Sequence, residues 1–302
     1  MADLADLFPG FQSHWIDVAM GRIFARSAGS GPPVVLLHGF PQTHVCWHRI
    51  AQRLAEDFTV VAMDLRGYGW SSAPAGDGGR EVYSKRAMAR DVIEVMEALG
   101  HSRFSIVGHD RGGRIAYRMA LDEPGRIDRL VLLDIVPTFI QWQRMAEDAS
   151  IAPHWRFLAE PAPQPENEIL KDPIAYFDGL IALWSKAKDL SAFDPWALAH
   201  YRAGYNEPNR IHAFCEDYRA GATTDRRQDE EDLAAGKRFA NPTLLVCGGS
   251  YLAGGLASSL QAWQESFAAE ITGAEVDSGH FVAEEAPEEV LAAVVPFLKA
   301  RA

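Results

Sequence analysis

Residues 104–121, FSIVGHDRGGRIAYRMAL, constrain this chain more than any other stretch. A near-continuous apolar run, the pattern of a strand buried on both faces, enters Gly108-His109-Asp110-Arg111-Gly112, and a helical pattern follows at once. Small residues flanking such a strand-to-helix turn stand the central side chain, Asp110, at the C-terminal edge of a sheet, where open α/β folds place their ligands. The same turn sets Asp110 at a helix N-terminus, whose dipole and unpaired N–H groups favour an ionised carboxylate. A carboxylate in that place needs no base to activate it. It can displace a leaving group from saturated carbon, and a base-activated water can then cleave the resulting ester.

Further apolar runs supply the sheet: VVLLHG (34–39), FTVVAMD (58–64), RLVLLDIV (129–136) and TLLVCGG (243–249). Between them KRAMARDVIEVMEALG (85–100) carries apolar residues at 88, 92, 95, 96 and 99 before Gly100, a helix with its stop signal. Strand and helix alternate to about residue 136, the pattern of a doubly wound, mostly parallel α/β sheet. From about 139 to 220 the alternation fails, and Trp142, Trp155, Trp184, Trp196 and PAPQPEN (161–167) lie in helical patches with no convincing strand. Residues 222–240 are charged and read as a solvated loop and helix returning to the core. APEEVLAAVVPFLKA reads as a closing amphipathic helix. The expected organisation is a core over 1–138 and 222–302 and a helical cap over 139–221.

Charge narrows the partners. Among 302 residues, 29 Lys and Arg stand against 41 Asp and Glu, a net charge of −12 that repels a nucleic-acid backbone. A small anion can still bind through a few local arginines. The three cysteines, Cys46, Cys215 and Cys247, form no CxxC pair and suit a reducing compartment. The N-terminal MADLADLFPGFQSHW lacks a basic and an apolar region, and no apolar run reaches the roughly 18 residues a bilayer crossing needs. The expectation is a soluble cytoplasmic protein with no membrane partner.

Ester hydrolysis at Asp110 requires a base and an acid to orient it. Of ten histidines, His280 in VDSGHFVAEEAP sits in a Gly-flanked loop just before the final helix and is the candidate base. The order nucleophile, acid, histidine leaves two places for the acid, after the strand at 129–136 or after that at 243–249. The later strand runs into CGGSYLAGGLASS, which has no Asp or Glu; the earlier ends in Leu132-Leu133-Asp134 and assigns Asp134. His38-Gly39-Phe40-Pro41 follows the first strong strand, so the N–H of Phe40 and that of Arg111 can serve as oxyanion donors. His44 and His48, four apart, lack the glutamate and third ligand of a zinc site, so no metal is expected. GYGWSS (67–72) has Ser72 where a dinucleotide fingerprint needs its third glycine, and no nucleotide cofactor is expected.

Taken together, HGFPQTHVCWH (38–48), DLRGYGWSS (64–72), GHDRGGR (108–114), LLDIVPT (132–138), HWRFLAEPAP (154–163), CEDYRAG (215–221) and SGHFVAEEAP (278–287) resemble fluoroacetate dehalogenases, haloacetate-hydrolysing members of the α/β-hydrolase superfamily. The resemblance covers nearly the whole chain and implies the α/β-hydrolase fold, a small haloacid substrate, no cofactor and a homodimer. It implies that Arg111 and Arg114 hold the substrate carboxylate, a pairing that suits parallel hydrogen bonds from guanidinium groups. It also implies that His154, Trp155 and Tyr218 donate hydrogen bonds to the departing halide, with Trp184 as a pocket wall. GGSYLAGGL and the loop APAGDGGREV (73–82) match no motif of the family and are expected to touch no assigned role. The alternative activity is that of an epoxide hydrolase, with Tyr218 and either Tyr201 or Tyr205 protonating the opening oxygen. The two arginines argue against it, because a neutral epoxide has no use for them.

Overall fold

The computed structural model describes residues 4–252 and 254–300; residues 1–3 and 301–302 of the expected core, and residue 253 in the GGSYLAGGL loop, lie outside the described residues. Eight strands form one sheet: β1 (Gln12–Val18), β2 (Gly21–Ala28), β3 (Pro33–Leu37), β4 (Thr59–Met63), β5 (Phe104–His109), β6 (Ile127–Leu133), β7 (Thr243–Gly248) and β8 (Ile271–Val276). Their order is β1-β2-β4-β3-β5-β6-β7-β8. β2 runs antiparallel to both β1 and β4, and every pairing from β4 to β8 is parallel.

The five apolar runs are the five contiguous central strands, β4-β3-β5-β6-β7, and their side chains are almost all buried. The strands that the apolar pattern did not mark, β1, β2 and β8, lie at the two ends of the sheet. β1 and β8 each have one free edge and mostly exposed or half-buried side chains, so neither shows an unbroken apolar run. β3 lies between β4 and β5, so the chain leaves it to one side of the sheet and resumes on the other. Such a reversal opens a crevice beyond the strand ends.

Lys85–Ala98 is a helix whose Ser84 caps it by accepting from the Ala87 N–H, and Met88, Val92, Val95 and Met96 are its buried face. Gly100 ends the segment with φ +89°. Seven helices and, among the described residues, no strand fill the chain between β6 and β7: Thr138–Glu147, Pro153–Leu158, Gln164–Ile169, Pro173–Trp184, Pro195–Tyr205, Pro208–Ala222 and Thr224–Ala234. Five of them carry proline in the first turn, where its missing N–H has no helical partner to lose.

The charged stretch 222–240 departs from expectation. Its helix Thr224–Ala234 is not simply solvated, because Thr224, Asp225, Gln228 and Asp229 form a buried polar stripe. Asp229 Oδ2 accepts from the Tyr117 hydroxyl at 2.8 Å and from the Phe139 N–H at 3.1 Å. Asp225 Oδ1 accepts from the Lys85 N–H at 2.8 Å. Spacing of three and four put these side chains on one face, and that face is anchored to the helices that carry Lys85, Tyr117 and Phe139. No described helix is long and apolar enough to cross a membrane.

Candidate active site

Asp110 follows β5 and caps the buried helix Arg111–Asp122. Its φ of 45° and ψ of −111° are strained for a residue with a Cβ, and neighbouring glycines make the turn possible. A Cβ on Gly112 would lie 2.1 Å from the Leu37 carbonyl oxygen, and one on Gly39 would lie 2.5 Å from the Asp110 Cβ. The chain can therefore bring the loop after β3 directly against Asp110. That loop is held by His38, whose Nε2 accepts from the Leu65 N–H at 3.0 Å and whose Nδ1 donates to the Gly39 carbonyl at 2.9 Å. Its reward is one hydrogen bond: the Phe40 N–H donates to Asp110 Oδ1 at 2.9 Å. Burial alone would push the Asp110 carboxyl up, but His280, Arg111 and Arg114 outweigh it and hold it well below the ordinary carboxylate range.

His280 lies between β8 and the C-terminal helices. Its Nδ1 donates to Asp134 Oδ2 at 2.7 Å, which leaves Nε2 as the accepting nitrogen. Its N–H donates to the Trp184 carbonyl at 3.0 Å, and its own carbonyl accepts from His109 Nε2 at 2.9 Å. Asp134 follows β6 with φ 54°, and the Gly248 N–H donates to its Oδ1 at 3.0 Å. Burial lowers the His280 imidazole to about 4, so the ring is neutral at physiological pH.

A cavity of about 260 Å³ opens on these groups, lined by Asp110, Asp134, His280, Arg114, His154, Trp155, Tyr218 and Trp184 among others. Of the five described non-glycine residues with positive φ, three (Asp110, Asp134 and Ala152) line this cavity. Ala152 caps the helix Pro153–Leu158 that carries His154 and Trp155. The rings of His154 and Trp155 each lie 5.8 Å from that of Tyr218, and His154 lies 4.4 Å from Trp184. Burial lowers His154 to about 3, so it is a neutral imidazole with one N–H to give.

The two arginines differ. Arg114 lines the cavity, with Nη1 donating to the Val136 carbonyl and to Thr138 Oγ1, both at 3.1 Å, and with Nε buried and unpartnered among the described residues. Arg111 is fully buried behind Tyr218, its guanidinium carbon 3.8 Å from the ring centroid, and does not line the cavity. Its Nε donates to Asp217 Oδ2 at 3.3 Å, while Nη1 and Nη2 are buried without a partner among the described residues. Phe40 likewise lies outside the lining and contributes its backbone, with its ring packed edge-on to Tyr218 at 5.1 Å.

Two neighbours escaped the motif reading. Tyr251, in the loop expected to touch no assigned role, lines the cavity and packs on His280 at 4.2 Å between ring centroids. The available signal was its position just past the C-terminal end of a central strand. Asp217 adjoins Tyr218 in CEDYRAG, and its link to Arg111 depends on tertiary packing that no local pattern encodes. Conversely, Tyr201 and Tyr205 do not line the cavity. The Tyr201 hydroxyl accepts from Gln42 Nε2 at 3.4 Å, and the Tyr205 hydroxyl donates to the Pro41 carbonyl at 3.3 Å. His44 and His48 are turned to protein acceptors, Nδ1 to Asp64 Oδ1 at 2.8 Å and Nδ1 to the Val45 carbonyl at 2.9 Å. No group of three or more His, Cys, Asp or Glu side chains among the described residues is placed to hold a metal ion.

The family model described as alpha/beta hydrolase fold matches residues 32–287. A fluoroacetate dehalogenase from Burkholderia sp is 41% identical over 97% of this chain and 95% of its own length. A soluble epoxide hydrolase from Corynebacterium sp. (strain C12) is 33% identical over 91% of this chain and 93% of its own. The crystal structure of ALR0039 from Nostoc sp PCC 7120 superposes with a TM-score of 0.92 at 44% identity, covering 97% of this chain and 100% of that one.

Proposed function

This chain is a hydrolase of the alpha/beta hydrolase family, and from that premise we propose that it hydrolyses haloacetates, turning fluoroacetate and water into glycolate and fluoride. The observation that carries this reading is a carboxylate at a strand–helix corner that shares one cavity wall with Arg114, while the adjacent Arg111 holds two unpartnered η nitrogens. Buried cations with unfilled donors call for an anion. A neutral substrate leaves the Arg114 Nε unfilled; an α-halo acid brings a carboxylate to Arg114 and its α-carbon to Asp110, with the Arg111 charge just behind Tyr218.

The reaction runs in two steps. Asp110 Oδ2 attacks the α-carbon, because Oδ1 is engaged by the Phe40 N–H. The carbon–halogen pair leaves with the halide, which accepts hydrogen bonds from His154, Trp155 and Tyr218 beside Trp184. His280 Nε2 then takes a proton from water, whose oxygen adds to the ester carbonyl at Asp110. Asp134 on Nδ1 steadies the imidazolium. The charge that gathers on Oδ1 is met by the N–H groups of Phe40 and Arg111. Collapse restores the carboxylate and releases the 2-hydroxy acid, with the proton returned from His280. Displacement inverts a chiral α-carbon. The scheme uses no metal or cofactor.

The pattern of strands and helices supports a core over 1–138 and 222–302 with a cap over 139–221, the unpaired cysteines support a cytoplasmic location, and the resemblance supports a homodimer. Sedimentation at the mass of one protomer would remove the dimer. A second reading, epoxide hydrolysis, has one observation in its favour: Tyr218 and Tyr251 both line the cavity and could protonate an opening oxygen. Halide release from fluoroacetate and chloroacetate, with Asp110→Ala and Arg114→Ala beside wild type, tests the first reading. Undiminished turnover by the Asp110 variant would end it. A wild type idle on both acids yet active on styrene oxide selects the second.

A further inference from the structure

Asp217 is fully buried on the helix Pro208–Ala222, beside a residue with an expected role but with none of its own. Both its oxygens are committed. Oδ2 accepts from Arg111 Nε at 3.3 Å and from the Tyr68 hydroxyl at 2.7 Å, and Oδ1 accepts from Lys85 Nζ. Lys85 is itself buried and also pairs with Asp225 Oδ2 at 3.4 Å. Such a cluster of buried charges persists only when each member is held by partners.

The grip on Arg111 is one-sided. A guanidinium held through Nε keeps one edge occupied and its two η nitrogens available, and stacking on Tyr218 at 3.8 Å fixes the plane in which they lie. Those two nitrogens are the ones left unpartnered. We propose that Asp217, steadied by Tyr68 and Lys85, is the positioning residue that fixes the Arg111 guanidinium just behind Tyr218, so that its charge bears on the substrate carboxylate through the cavity wall. This rests on the haloacid reading above and adds a residue from the helix that carries Tyr218. One helix thereby sets the expected halide donor and the anion clamp together.

The test compares wild type with Asp217→Asn, Asp217→Glu and Tyr68→Phe in the full chain, measuring chloroacetate turnover and competitive inhibition by acetate. Acetate reads carboxylate binding without chemistry. Loosening Arg111 is expected to raise KM and the acetate inhibition constant together, by about tenfold in Asp217→Asn, with kcat held within about threefold. Asp217→Glu should recover part of that loss, and Tyr68→Phe should show a smaller shift in the same direction. Unchanged acetate inhibition in both Asp217→Asn and Tyr68→Phe overturns the proposal, as does a fall in kcat with no change in that inhibition. Should Asp217→Asn fail to fold, Tyr68→Phe decides alone: a shift of about two- to threefold supports the proposal and none overturns it. Wild type that neither releases chloride nor binds acetate removes the haloacid reading itself. Active wild type with unshifted variants removes only the role of Asp217.

Discussion

In the proposed reaction His280 is the residue whose protonation state matters most, and its burial decides that state. With the imidazole lowered to about 4, Nε2 is free to accept a proton throughout the neutral range. Ester hydrolysis is therefore expected to stay flat from alkaline pH down to about pH 5 and to fall only as the solution approaches the lowered value. Stopped-flow measurement of the hydrolytic half-reaction checks this; a fall centred near an ordinary histidine value would contradict it. Replacing the proposed base is expected to separate the two proposed steps. His280→Gln leaves Asp110 able to attack, so a chloroacetate-treated variant should carry a covalent carboxymethyl group on Asp110, found by peptide mass spectrometry. Gly39 tests the turn from the other side. The Cβ of Gly39→Ala would fall 2.5 Å from the Asp110 Cβ, so the carboxylate must shift. Turnover should drop by about a hundredfold while stability falls by only about 1–3 kcal/mol. Asp110, Asp134 and His280 were legible because chain order and turn chemistry mark them. Asp217 and Tyr251 were not, since a lone acid in a helix or a tyrosine in a Gly-rich loop gains significance only from partners distant in the chain.

Elements differ in legibility for reasons of exposure. The central strands are covered on both faces and read as unbroken apolar runs, whereas β1 and β8 end the sheet and are mostly exposed or half-buried. The stretch between β6 and β7 read only as helical patches; in the fold, prolines start five of its helices, and Asp172 and Asp194 cap Pro173–Trp184 and Pro195–Tyr205. Helix Thr224–Ala234 was misread because its buried stripe is polar, and hydrophobic periodicity cannot register a face that packs through hydrogen bonds. Its energetics follow from that face. Asp229→Ala would strand the Phe139 N–H and take one partner from the Tyr117 hydroxyl, which keeps Thr138, so urea unfolding should show a loss of about 1–3 kcal/mol. Glu230→Ala on the exposed side removes only an Arg226 pair and should stay within about 0.5 kcal/mol. Equal losses at the two positions would mean that the stripe anchors nothing.

Across the whole molecule, buried titratable groups pull stability in opposite directions. Burial lowers His38, His109 and His280 to about 4 and His154 to about 3. Below their unfolded value, near 6.5, the unfolded chain binds protons that the folded one refuses, so these four erode stability as pH falls from about 6.5 toward 4. Burial works the other way on carboxyls, raising Glu284 to about 8 and Asp229 to about 7. For such a group the stabilising contribution is fully present below its unfolded value and is lost as pH rises through the folded one. Above about pH 6.5 the histidines no longer change, and these two carboxyls leave stability declining toward pH 8. The unfolding free energy should therefore peak near pH 6–6.5. Glu284 gives the sharpest check, because it is buried between Gln42 and Tyr201 and lies outside the cavity lining. In Glu284→Gln there is no proton for the unfolded chain to lose, so the variant should gain on wild type as pH rises from about 5 to 8, by on the order of 1 kcal/mol per pH unit. Parallel stability curves for the two proteins would mean that the folded chain does not keep Glu284 protonated at neutral pH.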